Sequence, residues 1–251
     1  MQKNPLEKFR KEALERAASY RNNKSLQESC HEFLLQINKA KYAYNFYWLG
    51  VPILQAPQDL QALQEIIWEV KPDLIIETGI AWGGSLIFSA SMLAILEVCG
   101  AIENGEVIGI DIDIRSHNKT AILAHPLSKK ISMFEGSSID EKIVAQVEAF
   151  ARKKKRVMVC LDSNHTHDHV LAELRAYAPL VSIGSYCMVG DTGVEDLPEG
   201  TTNDRPWGKG SNPKTAVREF LKENDDFVID KTIDSKLVIT GSPDGYLKRV
   251  R

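Results

Sequence analysis

The stretch "PDLIIETGIAWGGS", residues 72–85, decides the fold. Leu74, Ile75 and Ile76 form a short apolar run without alternation, as expected of a strand covered on both faces. Glu77 closes the run, Gly79 permits a tight turn, and Gly83, Gly84 and Ser85 lead into the apolar segment "LIFSASMLAILEVCG". This is a strand, a glycine-rich turn and a helix. The spacing is G-x-x-x-G-G rather than the dinucleotide pattern G-x-G-x-x-G, so an NAD-dependent oxidoreductase is disfavoured.

The same rhythm repeats downstream. "GEVIGIDID" (105–113) and "RVMVCLDS" (156–163) read as strands that end in acids, and "GSYCMVGD" (184–191) does the same. Helical segments alternate with them, which predicts a mostly parallel sheet with helices on both faces. The final segment, "FVIDKTIDSKLVITGSPDGYLKRV", reads as two strands joined by a turn, placing an antiparallel strand at the end of the sheet. Upstream, residues 5–40 read as two helices, the second starting with a capping box of Ser25 and Glu28. The helix "DLQALQEIIWEV" is expected to be capped by Asp59. "YAYNFYWLGVPILQAP" reads as an aromatic loop packed over a cleft. The division expected is a helical N-terminal extension with the aromatic loop, 1–50, and a catalytic domain, 51–251.

Composition excludes several classes. A net charge of -3 offers no basic field for nucleic acid or anionic membrane. No apolar run is long enough to span a bilayer or to act as a signal peptide, so a cytoplasmic location is expected. The 4 cysteines form no CxxC pair, and Cys160 and Cys187 fall in apolar runs as buried reduced thiols. "HTHDH" (165–169) is one residue short of the H-x-H-x-D-H motif of metallo-β-lactamase folds. No histidine follows His169, which argues against a zinc hydrolase. Asp162, His165 and His167 could in principle form an iron triad, but such oxygenases need a β-barrel clamp that this sheet does not offer.

In sheets of this kind, ligands bind beyond the carboxyl ends of the strands. The loop after Glu77 has no Lys or Arg, which suits a nucleoside–methionine cofactor: its ammonium near Glu77, its carboxylate near helix N-terminal amides. Asp111 can accept both ribose hydroxyls, with Asp113 two residues on. The small-residue loop "FEGSS", with Gly136 and Ser137, can lie beside a purine. Asp162 and Asp191 end neighbouring strands and together suit Mg²⁺. His165 can take a proton from a substrate hydroxyl near neutral pH. His167 and His169 are expected on a helix as surface or hydrogen-bonded residues.

These words in this order resemble the cephalosporin hydroxylase family of S-adenosylmethionine-dependent methyltransferase folds. The likeness runs from "NFYWLGVPILQAP" to "SPDGYLKR" through "GIDIDIR", "HPLSKKI", "GSSID", "LDSNHTHDHVLAEL" and "AVREFL". It is more remotely similar to magnesium-dependent sugar O-methyltransferases of antibiotic pathways. The resemblance implies a Rossmann-like class I methyltransferase with a seven-stranded mostly parallel sheet and an antiparallel last strand. It implies S-adenosylmethionine held by Glu77, Gly79, Ser85, Asp111 and Ser137, Mg²⁺ on Asp162 and Asp191, and His165 as general base. The acceptor would be a hydroxyl of a sugar or small natural product, and the enzyme a homo-oligomer. Those magnesium-dependent relatives usually have an acid where this chain has Gly190. That leaves cation dependence less secure and makes a non-catalytic accessory protein, or an oxygenase component, the alternative. The aromatic loop near Trp48 and the Gly/Pro-rich segment 193–213 are expected to shape the acceptor site.

Overall fold

The computed structural model describes residues 4–251. Two helices come first, α1 (Pro5–Tyr20) and α2 (Lys24–Lys39). The cap of α2 is Asn23, whose side chain accepts from Leu26 N at 3.1 Å, so Ser25 lies inside the helix and the expected capping box is absent. The aromatic segment is not an open loop. It forms a 3₁₀ turn, Tyr42–Asn45, and a ribbon of β1 (Phe46–Trp48) against β2 (Val51–Ile53). Trp48 packs edge-on against Phe88 at 4.9 Å, and its indole N–H donates to Ser91 Oγ at 3.0 Å. It packs against the core.

The remaining elements are α3 (Pro57–Val70), β3 (Leu74–Thr78), α4 (Gly84–Val98), β4 (Glu106–Asp111), α5 (Ser116–Ala124), β5 (Ile131–Glu135), α6 (Glu141–Ala151), β6 (Val157–Leu161), α7 (His167–Tyr177), β7 (Tyr186–Val189), α8 (Pro213–Glu223), β8 (Phe227–Ile229), α9 (Lys231–Leu237) and β9 (Tyr246–Arg249). The seven-stranded sheet has the order β5-β4-β3-β6-β7-β9-β8. Only β9 runs against its neighbours, β7 and β8. The antiparallel last strand is as expected, but its connection is not: helix α9 stands between β8 and β9 instead of a tight turn.

Two apolar cores cover the sheet. Alternation along β3 sends Ile75 to one and Leu74 and Ile76 to the other. The first core takes α3 and α4, the second α6, α7 and α8. Helix α4 is apolar nearly all round because it is buried nearly all round. Asp59 does not cap α3. It lies buried in the first turn and accepts from Gly241 N at 2.9 Å and Tyr246 Oη at 3.0 Å, with Thr240 Oγ1 also bonded. This ties α3 to the last strand. Cys160 and Cys187 are buried and free, whereas Cys30 is half-buried and Cys99 exposed.

The strand register aligns the functional end. Thr78 stands level with Ile110 on one side and Leu161 on the other, and Leu161 stands level with Val189. Glu77, Asp111, Asp162 and Gly190 therefore emerge at one edge. The chain order reverses between β3 and β6, the place where such sheets open a crevice.

Candidate active site

The turn after β3 is held from both sides. Gly79 has φ +88, and a Cβ there would lie 2.1 Å from the Asp162 carbonyl oxygen, so only glycine fits. Asp111 accepts at Oδ2 from Ile80 N at 2.8 Å and from Ala81 N at 3.3 Å. The buried Asn118 donates to Ala81 O at 2.6 Å, a contact that sequence reasoning did not anticipate. A cavity of about 250 Å³ opens beside this turn, lined among others by Gly79, Asp111, Ser137, Ser138, His169 and Trp207. Asp113 is exposed and turns to Arg115 at 4.0 Å instead of lining the cavity. Gly136 lies behind it, its N–H donating to Asp111 O at 2.8 Å.

A polar network forms one wall. The buried Glu173 accepts at Oε1 from Ser138 Oγ at 2.5 Å and Ser163 Oγ at 2.7 Å, and His169 Nε2 lies 3.0 Å from the Ser138 hydroxyl. His167 Nδ1 pairs with Thr215 Oγ1 at 2.8 Å. Both histidines are thus hydrogen-bonded, as expected. Ser138, Ser163 and Trp207 carry no sequence pattern that marks them.

Glu77 is buried beneath the turn and accepts from the Ser85 hydroxyl. Loss of hydration pushes its carboxyl up to about 8, aided by the nearby Asp162 charge and opposed by the Ser85 bond. Burial and the Asp191 carboxylate likewise raise Asp162, while His165 opposes.

Asp162, His165 and Asp191 converge, with one ligand atom from each lying within 4.8 Å of the others. His165 Nε2 stands 3.2 Å from Asp191 Oδ2. Asp191 holds its place with φ 51, an uncommon conformation for a residue with a side chain. Two carboxylates and an imidazole suit a divalent cation. The Trp207 ring meets His165 edge-on at 4.9 Å. Segment 193–213 is anchored: Glu195 accepts from Gly210 N at 2.8 Å and Asn212 Nδ2 at 2.6 Å. It brings Trp207 to the 250 Å³ cavity.

A further cavity of about 110 Å³ is lined by Asp162 and Asp191 of this cluster and by Gly190. Its wall includes Leu34, Ile37 and Asn38 of α2, Tyr42, and Thr240 and Ser242 near the C-terminus. The contribution of α2 was not legible in its sequence.

Residues 40–250 match the family described as Rhamnosyl O-methyltransferase/CmcI. The chain belongs to that family. Curated rhamnosyl O-methyltransferases of Mycobacterium tuberculosis are 26% identical over 242 residues, covering 92% of this chain and 87% of theirs. That of Mycobacterium leprae is 26% identical, covering 92% of this chain and 93% of its own. A CmcI structure described with Mg and SAM superposes with a TM-score of 0.57 at 18% identity, over 83% of this chain and 78% of that one. An O-methyltransferase from Bacillus cereus in complex with SAH gives 0.51 at 17% identity, over 80% of this chain and 81% of that one. The shared architecture is the class I methyltransferase fold.

Proposed function

We propose that this member of the rhamnosyl O-methyltransferase/CmcI family transfers a methyl group from S-adenosylmethionine to a hydroxyl of a sugar. The carrying observation is adjacency: the 250 Å³ cavity beside the glycine turn is walled by Ser163 and Asn164, next in chain to Asp162, and by Trp207, whose ring meets His165 of the Asp162–His165–Asp191 cluster. In this reading Asp111 accepts the ribose hydroxyls and Ser137 faces the adenine. Glu77, Gly79 and Ser85 receive the methionine part. Asp162 and Asp191 hold Mg²⁺, and His165 beside them is left free to take a proton.

S-adenosylmethionine supplies an electrophilic methyl on a sulfonium. The protein's work is alignment and proton handling. His165 accepts the hydroxyl proton, and Asp191 beside it stabilises the imidazolium formed. The 110 Å³ cavity, closed by α2, takes the acceptor. The reading extends to a cytoplasmic homo-oligomer of secondary-metabolite or glycan biosynthesis, with Leu6, Phe9 and Leu14 of α1 exposed for assembly. No helix among the described residues is long and apolar enough to cross a membrane.

Labelled S-adenosylmethionine offered with a panel of sugar acceptors tests this. Turnover should depend on added Mg²⁺. His165→Ala should lose turnover by roughly a hundredfold or more while still binding S-adenosylhomocysteine. Equal loss of both would remove His165 from the role of base. Wild-type protein that ignores the cofactor would end the reading.

A further inference from the structure

A third, much smaller cavity lies beside Glu77 and Ser85. It is about 10 Å³, room for one water-sized group, and its polar lining is Gln55, Glu77, Ser85, Ser89 and Asp162. No lysine or arginine lines it. The Ser85 hydroxyl is spent on Glu77. Gln55 Oε1 is buried and has no hydrogen-bond partner. Gln55 comes from the linker between β2 and α3, outside the sheet, and also borders the 110 Å³ cavity. A pocket with a surplus of buried acceptors, one of them orphaned, is built for a guest that only donates.

We infer that Gln55 is a cofactor-binding residue whose side-chain carbonyl joins Glu77 and Asp162 in holding the α-ammonium group of the methionine part. This rests on S-adenosylmethionine being the cofactor. Three N–H donors meet three acceptors. The carboxylate on the same carbon then falls at the first turn of α4, where free backbone N–H groups are available. The ammonium satisfies the orphaned oxygen.

Calorimetric titration with S-adenosylhomocysteine and with its deaminated analogue, hydrogen replacing the amino group, tests this. Wild-type protein should prefer the aminated ligand by about tenfold or more, the scale of a lost charge-assisted hydrogen-bond set. Gln55→Leu should lose about tenfold for S-adenosylhomocysteine and little for the analogue. Gln55→Glu keeps an acceptor at the site and should retain the preference. If Gln55→Leu weakens both ligands equally, Gln55 acts only through the fold and the inference fails. If it weakens neither, water fills the pocket and the inference fails. Wild-type protein that binds neither ligand would overturn the choice of cofactor itself, a separate outcome.

Discussion

A Cβ atom on Gly190 would stand 2.5 Å from Oδ1 of Asp162. The carboxylate of one strand tip thus rests on the bare backbone of the next. Any side chain at 190 must push Asp162 away from His165 and Asp191. Gly190→Ala should therefore reduce turnover by roughly a hundredfold, the effect of a misplaced reacting group, with S-adenosylhomocysteine affinity less affected. Unchanged kinetics would show that Asp162 has no fixed catalytic position.

Glu77 gives a pH signature. Its carboxyl sits near 4.5 when unfolded and is raised to about 8 in the fold. Between those values the native state binds more protons than the unfolded chain, so stability falls as pH rises. Melting temperatures of the cofactor-free protein should decline from about pH 5 to about pH 8, and Glu77→Gln should flatten the decline. A slope identical in both proteins would contradict the assignment.

Asp111 serves two partners at once. Its Oδ2 accepts from Ile80 N and Ala81 N. Asp111→Ala should cost about 1–3 kcal/mol of stability as well as cofactor affinity, because the N–H of the buried Ile80 loses its acceptor. Asp111→Asn keeps a carbonyl oxygen for Ile80. It should recover most of the stability while remaining weak for S-adenosylhomocysteine but not for an analogue lacking both ribose hydroxyls. Denaturant melts and titrations read the two effects separately.

Trp207 borders the 250 Å³ cavity proposed for the cofactor and touches His165. Trp207→Ala should weaken S-adenosylhomocysteine roughly tenfold through lost aromatic contact and remove most of the tryptophan fluorescence change on binding. A full fluorescence response in the variant would place the responding indole elsewhere.

The sheet was legible because its strands are continuous apolar runs stopped by acids, a pattern that burial on both faces imposes. The same stops named Glu77, Asp111, Asp162 and Asp191. Helix α9 was not legible. Its β-branched Thr232 and Ile233 suggest a strand, and the helix is held by contacts from far away. Asp230 caps it locally through Thr232 N at 3.0 Å, and from far along the chain Arg21, the residue after α1, donates to Lys231 O at 2.9 Å. Asp59 was misread for the same reason, since its partners lie near the opposite end of the chain. Ser138, Ser163, Trp207 and Gln55 belong to the site only through packing, and single-sequence patterns do not encode packing.

Helix α2 stands outside the sheet, yet Leu34, Ile37 and Asn38 wall the smaller of the two open cavities. None of its residues is buried in the core. If that cavity takes the acceptor, as proposed, acceptor choice and chemistry are inherited on separate stretches of chain. Drift along one solvent-washed helix can retune the guest while the strand tips stay as they are.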